Sequence, residues 1–288
     1  MRLATLVAAT LAVAAFTASP ASARIWEKTW TVSGRPTVHV VTNDARVHVI
    51  RGPERSVYTR IEYKVRVWGW HSEPKDPLIE LQQKGDDITI TARERGNVVV
   101  FGGVSEEFRL ELTVPADCDL DLRSGDGSIE VEPGTGSLQA RTGDGHITVT
   151  GFHGSAELST GDGGVSAEDF DGSLVASSGD GSVRVSGRFD HLSLHTRDGG
   201  VKATARPGSK LERPWELSTG DGGVALLIPR DLKARLDATT DDGSLHVDLP
   251  VDVSGGLSKR SLRGELNGGT TPLVMRTRDG SISLGVSN

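Results

Sequence analysis

Leu120-Asp121-Leu122-Arg123-Ser124-Gly125-Asp126-Gly127-Ser128-Ile129-Glu130-Val131 is the stretch whose pattern sets the architecture. Apolar residues alternate before the Asp-Gly pair and again after it. A period of two on both sides of a turn signal reads as two strands with one face buried. The same frame returns at Leu192-Ser193-Leu194-His195-Thr196-Arg197-Asp198-Gly199-Gly200-Val201-Lys202-Ala203. Between them the pair recurs every 18 residues, at Asp126, Asp144, Asp162, Asp180 and Asp198, and then at Asp221, Asp242 and Asp279 after steps of 23, 21 and 37.

The turn chemistry suits a corner. Asp-Gly is expected to supply one residue that tolerates positive φ and one that adopts it freely. A hydroxyl stands two positions before each Asp: Ser124, Thr142, Thr160, Ser178, Thr196, Thr219, Thr240 and Thr277. Counted from the inward Leu122, these hydroxyls point inward, where they can bond turn backbone groups. Halfway along each repeat lies a second corner: Gly151-Phe152-His153-Gly154, Asp169-Phe170-Asp171-Gly172 and Gly187-Arg188-Phe189-Asp190. Independent hairpins would not hold an unbroken period. The expected fold is all-β, a parallel β-solenoid (β-helix) with rungs of ~18 residues, stacked roughly 4.8 Å apart and burying their apolar face only against neighbours.

Upstream, the frame degenerates. Thr37–Val49 keeps the hydroxyl two before Asp44 but has Ala45 in the glycine position. Alternating strands follow at Val57–Val67, Leu78–Gln82, Asp87–Ala92 and Glu107–Val114. Residues 24–115 are expected to form a strand-rich N-terminal cap with degenerate rungs, protecting an open edge that would otherwise template pairing. Residues 116–288 carry the solenoid repeats. Residues 1–23 read as a signal peptide, with Arg2, an apolar run from Leu3 to Phe16 and Ala21-Ser22-Ala23 at the exit. Export to the periplasm, cell surface or extracellular space follows, and no later stretch reaches the ~20 apolar residues of a membrane span.

Composition narrows the chemistry. Of 288 residues 36 are glycine and one is cysteine, with a formal charge of −7. A single Cys118 excludes a disulfide framework and reads as a small buried thiol. An acidic chain without a basic stripe argues against nucleic acid as partner.

The rungs Thr142-Gly143-Asp144-Gly145-His146-Ile147, Thr219-Gly220-Asp221-Gly222-Gly223-Val224 and Thr277-Arg278-Asp279-Gly280-Ser281-Ile282 carry a resemblance. So does the closing stretch Leu262–Gly269 with Leu273–Thr277. From about residue 37 to 288 the chain resembles the bacterial adhesin-like β-strand-repeat family of unknown function. The resemblance implies an exported envelope β-solenoid with no assigned catalytic residue.

Among residues that could carry chemistry, the Asp column comes first. Stacked carboxylates repel by on the order of 1 kcal/mol in water, so turn N–H groups or a cation must offset them. Calcium takes oxygen ligands of this kind, but each corner offers one carboxylate and the nonapeptide calcium-roll spacing is absent. The column therefore reads first as a turn ladder, with a calcium-stabilised repeat as second reading and no cofactor otherwise. Acids recurring at one position in every repeat mark structure rather than catalysis. A β-helix enzyme acting on acidic polysaccharide is the alternative, with the doubled Asp241-Asp242 its one local hint. His39, His48 and His195 alternate with inward residues and face outward, with no chelating spacing. Trp68 and Trp70 share one strand face, either plugging the stack beside Trp26 and Trp30, the favoured reading, or forming a ligand-contact platform. The expected function is a non-enzymatic envelope scaffold or binding module. Cell-surface polysaccharide or an envelope protein is its expected partner, met by outward residues such as Arg123, Arg141, Glu157 and His195.

Overall fold

A computed structural model describes residues 22–71, 75–95, 99–253 and 258–287. The described residues are all-β, with 23 strands joined in one sheet and no helix. Residues 1–21, most of the expected signal peptide, lie outside them. Two columns of parallel strands run through the molecule, one before and one after the Asp-Gly corner. In the first column Leu120, Leu138, Ala156, Leu174 and Leu192 are successive Cα partners, each 18 residues from the next. In the second, Ile129, Ile147, Val165, Val183 and Val201 pair likewise.

The interior is filled by the inward residues of both columns. Large and small side chains compensate within a rung: Leu138 with Ala140, Ala156 with Leu158, Leu174 with Ala176, all at most 5% exposed. Close packing of this kind keeps the space between rungs filled without straining rotamers. The second corner is sealed by an aromatic stack. Phe152 and Phe170 lie 6.1 Å apart, Phe170 and Phe189 6.2 Å, and the edge of Trp215 closes on Phe189 at 6.2 Å. A register shift between Ala167 and Phe170 absorbs the one residue by which the step from Phe170 to Phe189 exceeds 18.

At both ends the order of rungs departs from the order of the chain. The sequence reading continues the repeat through Asp221, Asp242 and Asp279 in turn. Instead, strand Trp215–Thr219 pairs with Pro272–Thr277, and Ala234–Thr240 lies beyond it. The second column repeats the inversion, with Ile282–Val286 between Val224–Ile228 and Leu245–Val247. The 37-residue step is thus a detour: the chain builds the outer rung, turns back through Ser261–Leu266, antiparallel to Ala234–Thr240, and then fills the gap. The N-terminal end mirrors this. Thr37–Thr42 lies between Asp87–Arg93 and Asp119–Arg123, and Arg46–Arg51 between Val99–Val114 and Ile129–Val131. Rungs therefore already form within residues 24–115. Antiparallel strands close this end: Leu78–Lys84 beside Asp87–Arg93, and Ser56–His71 then Ser22–Thr31 beside Val99–Val114. The expected cleavage after Ala23 falls two residues into that last strand.

The corner glycines answer to a different constraint from the one the turn chemistry predicts. None of the glycines following the ladder aspartates has positive φ, nor do the aspartates themselves. A Cβ at Gly145, Gly163, Gly181, Gly199, Gly222 or Gly280 would instead fall under 3.0 Å from the carbonyl oxygen of the corresponding glycine one rung away. Stacked turns approach too closely for a side chain. Ala45 is tolerated because it belongs to the rung that precedes the first such turn in the stack: Gly127 is the residue placed against its carbonyl.

The inward hydroxyls tie turn to turn. Thr160 Oγ1 lies 3.1 Å from the Gly143 carbonyl oxygen and 2.9 Å from that of Gly145, and Thr142 and Thr196 repeat the arrangement. Ser178 donates to Gly163 at 2.7 Å, Thr277 to Gly222 at 2.7 Å and Thr240 to Gly280 at 2.8 Å. The hydroxyl oxygen also accepts within its own turn, from Gly127 N–H at Ser124 (3.1 Å) and from Gly280 N–H at Thr277 (3.2 Å). These side chains are buried or half-buried, so an unmade bond would leave a dry carbonyl at full desolvation cost.

Two substitutions check this account. Gly199→Ala should destabilise the protein by about 1–3 kcal/mol through overpacking. Gly200→Ala, whose Cβ would meet only the Gly223 carbonyl at 3.4 Å, should be nearly neutral in the same urea titration. Equal effects at the two neighbours would contradict the close-approach constraint. Thr160→Val should cost about 1–3 kcal/mol by stranding buried carbonyls, with Thr160→Ser milder because Ser178 already serves this position. An unchanged unfolding midpoint in Thr160→Val would remove the hydroxyl from the account.

Candidate functional site

The turn ladder places Asp126, Asp144, Asp162, Asp180, Asp198, Asp221, Asp242 and Asp279 along one edge, all exposed. Water therefore screens their mutual repulsion. Part of the ladder is also neutralised by arginine. Arg197 pairs with Asp180 and lies 3.6 Å from Asp198. Arg278 spans Asp221 and Asp279 in the same way, the latter at 3.3 Å, and Arg260 reaches Asp242 at 3.1 Å. Asp126, Asp144 and Asp162 form no ion pair among the described residues. Nor do any three His, Cys, Asp or Glu side chains among those residues converge as metal ligands would.

The outer face of the first column is a lattice of short polar links. Its register sets Asp121, Gln139, Glu157, Val175, Ser193 and Glu216 in one row. Arg123, Arg141, Ser159, Ser177, His195 and Ser218 form the next. Arg141 pairs with Glu157 across a rung at 2.5 Å, Asp121 receives both Arg123 (3.0 Å) and His39 (3.3 Å), and His195 Nδ1 lies 3.0 Å from Ser218 Oγ. His48 Nε2 lies 3.1 Å from Glu132 on the other face. Exposed pairs of this kind contribute little stability, which leaves their identity free to vary.

Trp68 and Trp70 lie in strand Ser56–His71, their backbones opposite Gly103 and Phe101. Their side chains fall outside the described residues, so the choice between plug and platform stays with the sequence. Of the companions named with them, Trp30 is 4% exposed and Trp26 packs against the core. Cys118 is buried, and desolvation, reinforced by the Asp119 carboxylate, pushes its thiol up to about 12. A thiol held protonated in this way is no nucleophile.

One carboxyl departs from the solvated pattern. Glu94 stands against Asp44, the aspartate of the degenerate corner, and Glu106. Burial, followed by the charges of Asp44 and Glu106, pushes it up to about 7. An acid whose folded value lies above its unfolded one binds more protons when folded, so stability falls as pH rises between the two values. The thermal midpoint should therefore climb as pH is lowered from 8 to 5, and Glu94→Gln should flatten that slope while raising the midpoint at pH 8. A slope unchanged by the substitution would assign the pH response elsewhere.

The parallel rungs and hydroxyl-clamped Asp-Gly corners define a class of β-repeat protein. Residues 40–285 match the Toastrack DUF4097 family, and the chain belongs to it. Among curated proteins none matches the chain significantly. Of solved structures, one from Parabacteroides distasonis, provisionally named an adhesin, is similar at 9% identity with a TM-score of 0.48, over 91% of this chain and 97% of that one. A second from the same organism, provisionally named a lipid-binding protein, has 12% identity and a TM-score of 0.47, over 92% and 97%. A Clostridium sporogenes protein, provisionally assigned to cell adhesion, has 13% identity and a TM-score of 0.30, over 92% and 100%.

Proposed function

We propose that this chain is an exported parallel β-solenoid acting as a non-enzymatic scaffold or binding module of the bacterial envelope. Its outer face would meet cell-surface polysaccharide or an envelope protein. The observation that supports this reading is the contrast between the two faces of one strand column. Inward, the rows hold Leu and Ala almost without exception. Outward, equivalent positions run Asp121, Gln139, Glu157, Val175, Ser193, Glu216, a row free to be fitted to a surface. The acids that do repeat occupy the corner in every rung, as parts of a turn do, and the doubled Asp241-Asp242 gains an arginine at Asp242 rather than a second catalytic acid. In this reading the Asp ladder is structural and takes no calcium, Trp68 and Trp70 plug the capped end, and residues 1–23 direct export.

Pull-down with isolated cell-envelope polysaccharide tests the function. The protein should be retained without shortening the polymer, and charge reversal at Arg141 and Glu157 together should alter retention with an unchanged thermal midpoint. Shorter products would make it an enzyme, and absence of retention would end the binding reading. Thermal unfolding in chelator and again in millimolar calcium should give one midpoint. A calcium-dependent rise would mark a ligand bound by the folded state alone.

A further inference from the structure

Departures from the 18-residue period gather on one edge. The step to Asp221 carries five extra residues and the step to Asp242 three, and these fall in the connections 206–214 and 229–233. The detour to Asp279 contributes a third connection, 267–271. All three loops meet at the second-corner edge and enclose a cavity of about 500 Å³, within the range of about 300–1,000 Å³ that small-molecule sites occupy.

The cavity has a fixed frame. Ser209 Oγ accepts from Phe189 N–H at 3.1 Å and donates to the Arg206 carbonyl at 2.8 Å, anchoring the first loop to the aromatic corner. Asn267, held at φ 52°, donates from its amide to the carbonyls of Arg230 (2.9 Å) and Leu232 (2.8 Å), binding the third loop to the second. A non-glycine residue in that region is uncommon and persists where its surroundings enforce it. Gly269 allows the close seating, since a Cβ there would fall under 3.0 Å from Ala234 N.

The lining is polar and net positive in a chain of net charge −7. Lys210 and Lys233 come from different loops, and neither forms an ion pair among the described residues. Thr270 and Thr271 add hydroxyls, and Asp231 adds one acceptor. Elsewhere on the molecule arginines are consistently matched to carboxylates, as at Arg141–Glu157, Arg197–Asp180 and Arg278–Asp221. We infer that this cavity binds an anionic sugar. Lys210 and Lys233 would take its carboxylate or phosphate, and Asp231, Thr270 and Thr271 its hydroxyls. The inference concerns an edge of the molecule separate from the outer face and does not rest on the function proposed for that face.

Titration calorimetry on the purified protein would use glucuronate, glucose 6-phosphate and glucose as probes. Saturable binding of either anionic sugar below about 10 mM at low salt is expected, with neutral glucose silent and binding weakened by added salt. The double variant K210Q/K233Q should bind roughly tenfold more weakly or worse, with the same thermal midpoint because both side chains are exposed. Lys210→Arg with Lys233→Arg should retain binding, and Lys202→Gln, an exposed lysine elsewhere, should change nothing. Glucuronate binding alone would assign a uronate ligand, and glucose 6-phosphate binding alone a phosphorylated one, each supporting the site. Equal binding of glucose, an undiminished K210Q/K233Q, or no heat from either anion would overturn it.

Discussion

Successive Asp-Gly turns lie so close that the carbonyl oxygen of one faces the α-carbon of the next, with no space for a side chain between them. From that approach the rest follows. It brings the hydroxyl two residues before each aspartate within reach of carbonyls one rung away, so the turns are joined by side-chain as well as backbone bonds. It fixes the spacing at which Leu and Ala alternate inside and at which the Phe152–Phe170–Phe189 stack closes the opposite corner. It also turns the aspartate side chains out to water, where a row of like charges costs little.

The same constraint explains which parts of the fold were legible. An 18-residue step with alternating apolar residues on both sides of a turn specifies strands, their burial and the inward hydroxyl, because each is local to one repeat. Rung order is not local. Thr240 and Thr277 stand in the same motif, so nothing near either says which one stacks on Thr219, and only the pairing of Pro272–Thr277 with two partners resolves it. The role of glycine was misleading for a related reason. Asp-Gly looks alike whether glycine is needed for positive φ or for lack of a side chain, and the second cause depends on a neighbour 18 residues away.

The functional features divide similarly. Aspartate positions were readable from spacing, and their arginines partly so, since Arg197-Asp198 and Arg278-Asp279 are adjacent in sequence. The aromatic stack had a signal in the steps of 18 and 19 between its phenylalanines, although those corners were read for their glycines and aspartates. The lysine-lined cavity had none. Its three loops share no motif, and only the inverted order at the C-terminal end brings 267–271 beside 229–233.

That inversion bears on how the molecule comes into being. The last strands to leave the ribosome, and the last to cross a membrane if the chain is exported, are not an end layer but a keystone between two rungs made earlier. A chain arrested before Pro272 has its outer rung yet lacks the layer that joins it to the body. Completion of the stack is therefore a check on completeness of the polypeptide, and the C-terminal segment, once seated, is held on both sides where a terminal strand would fray.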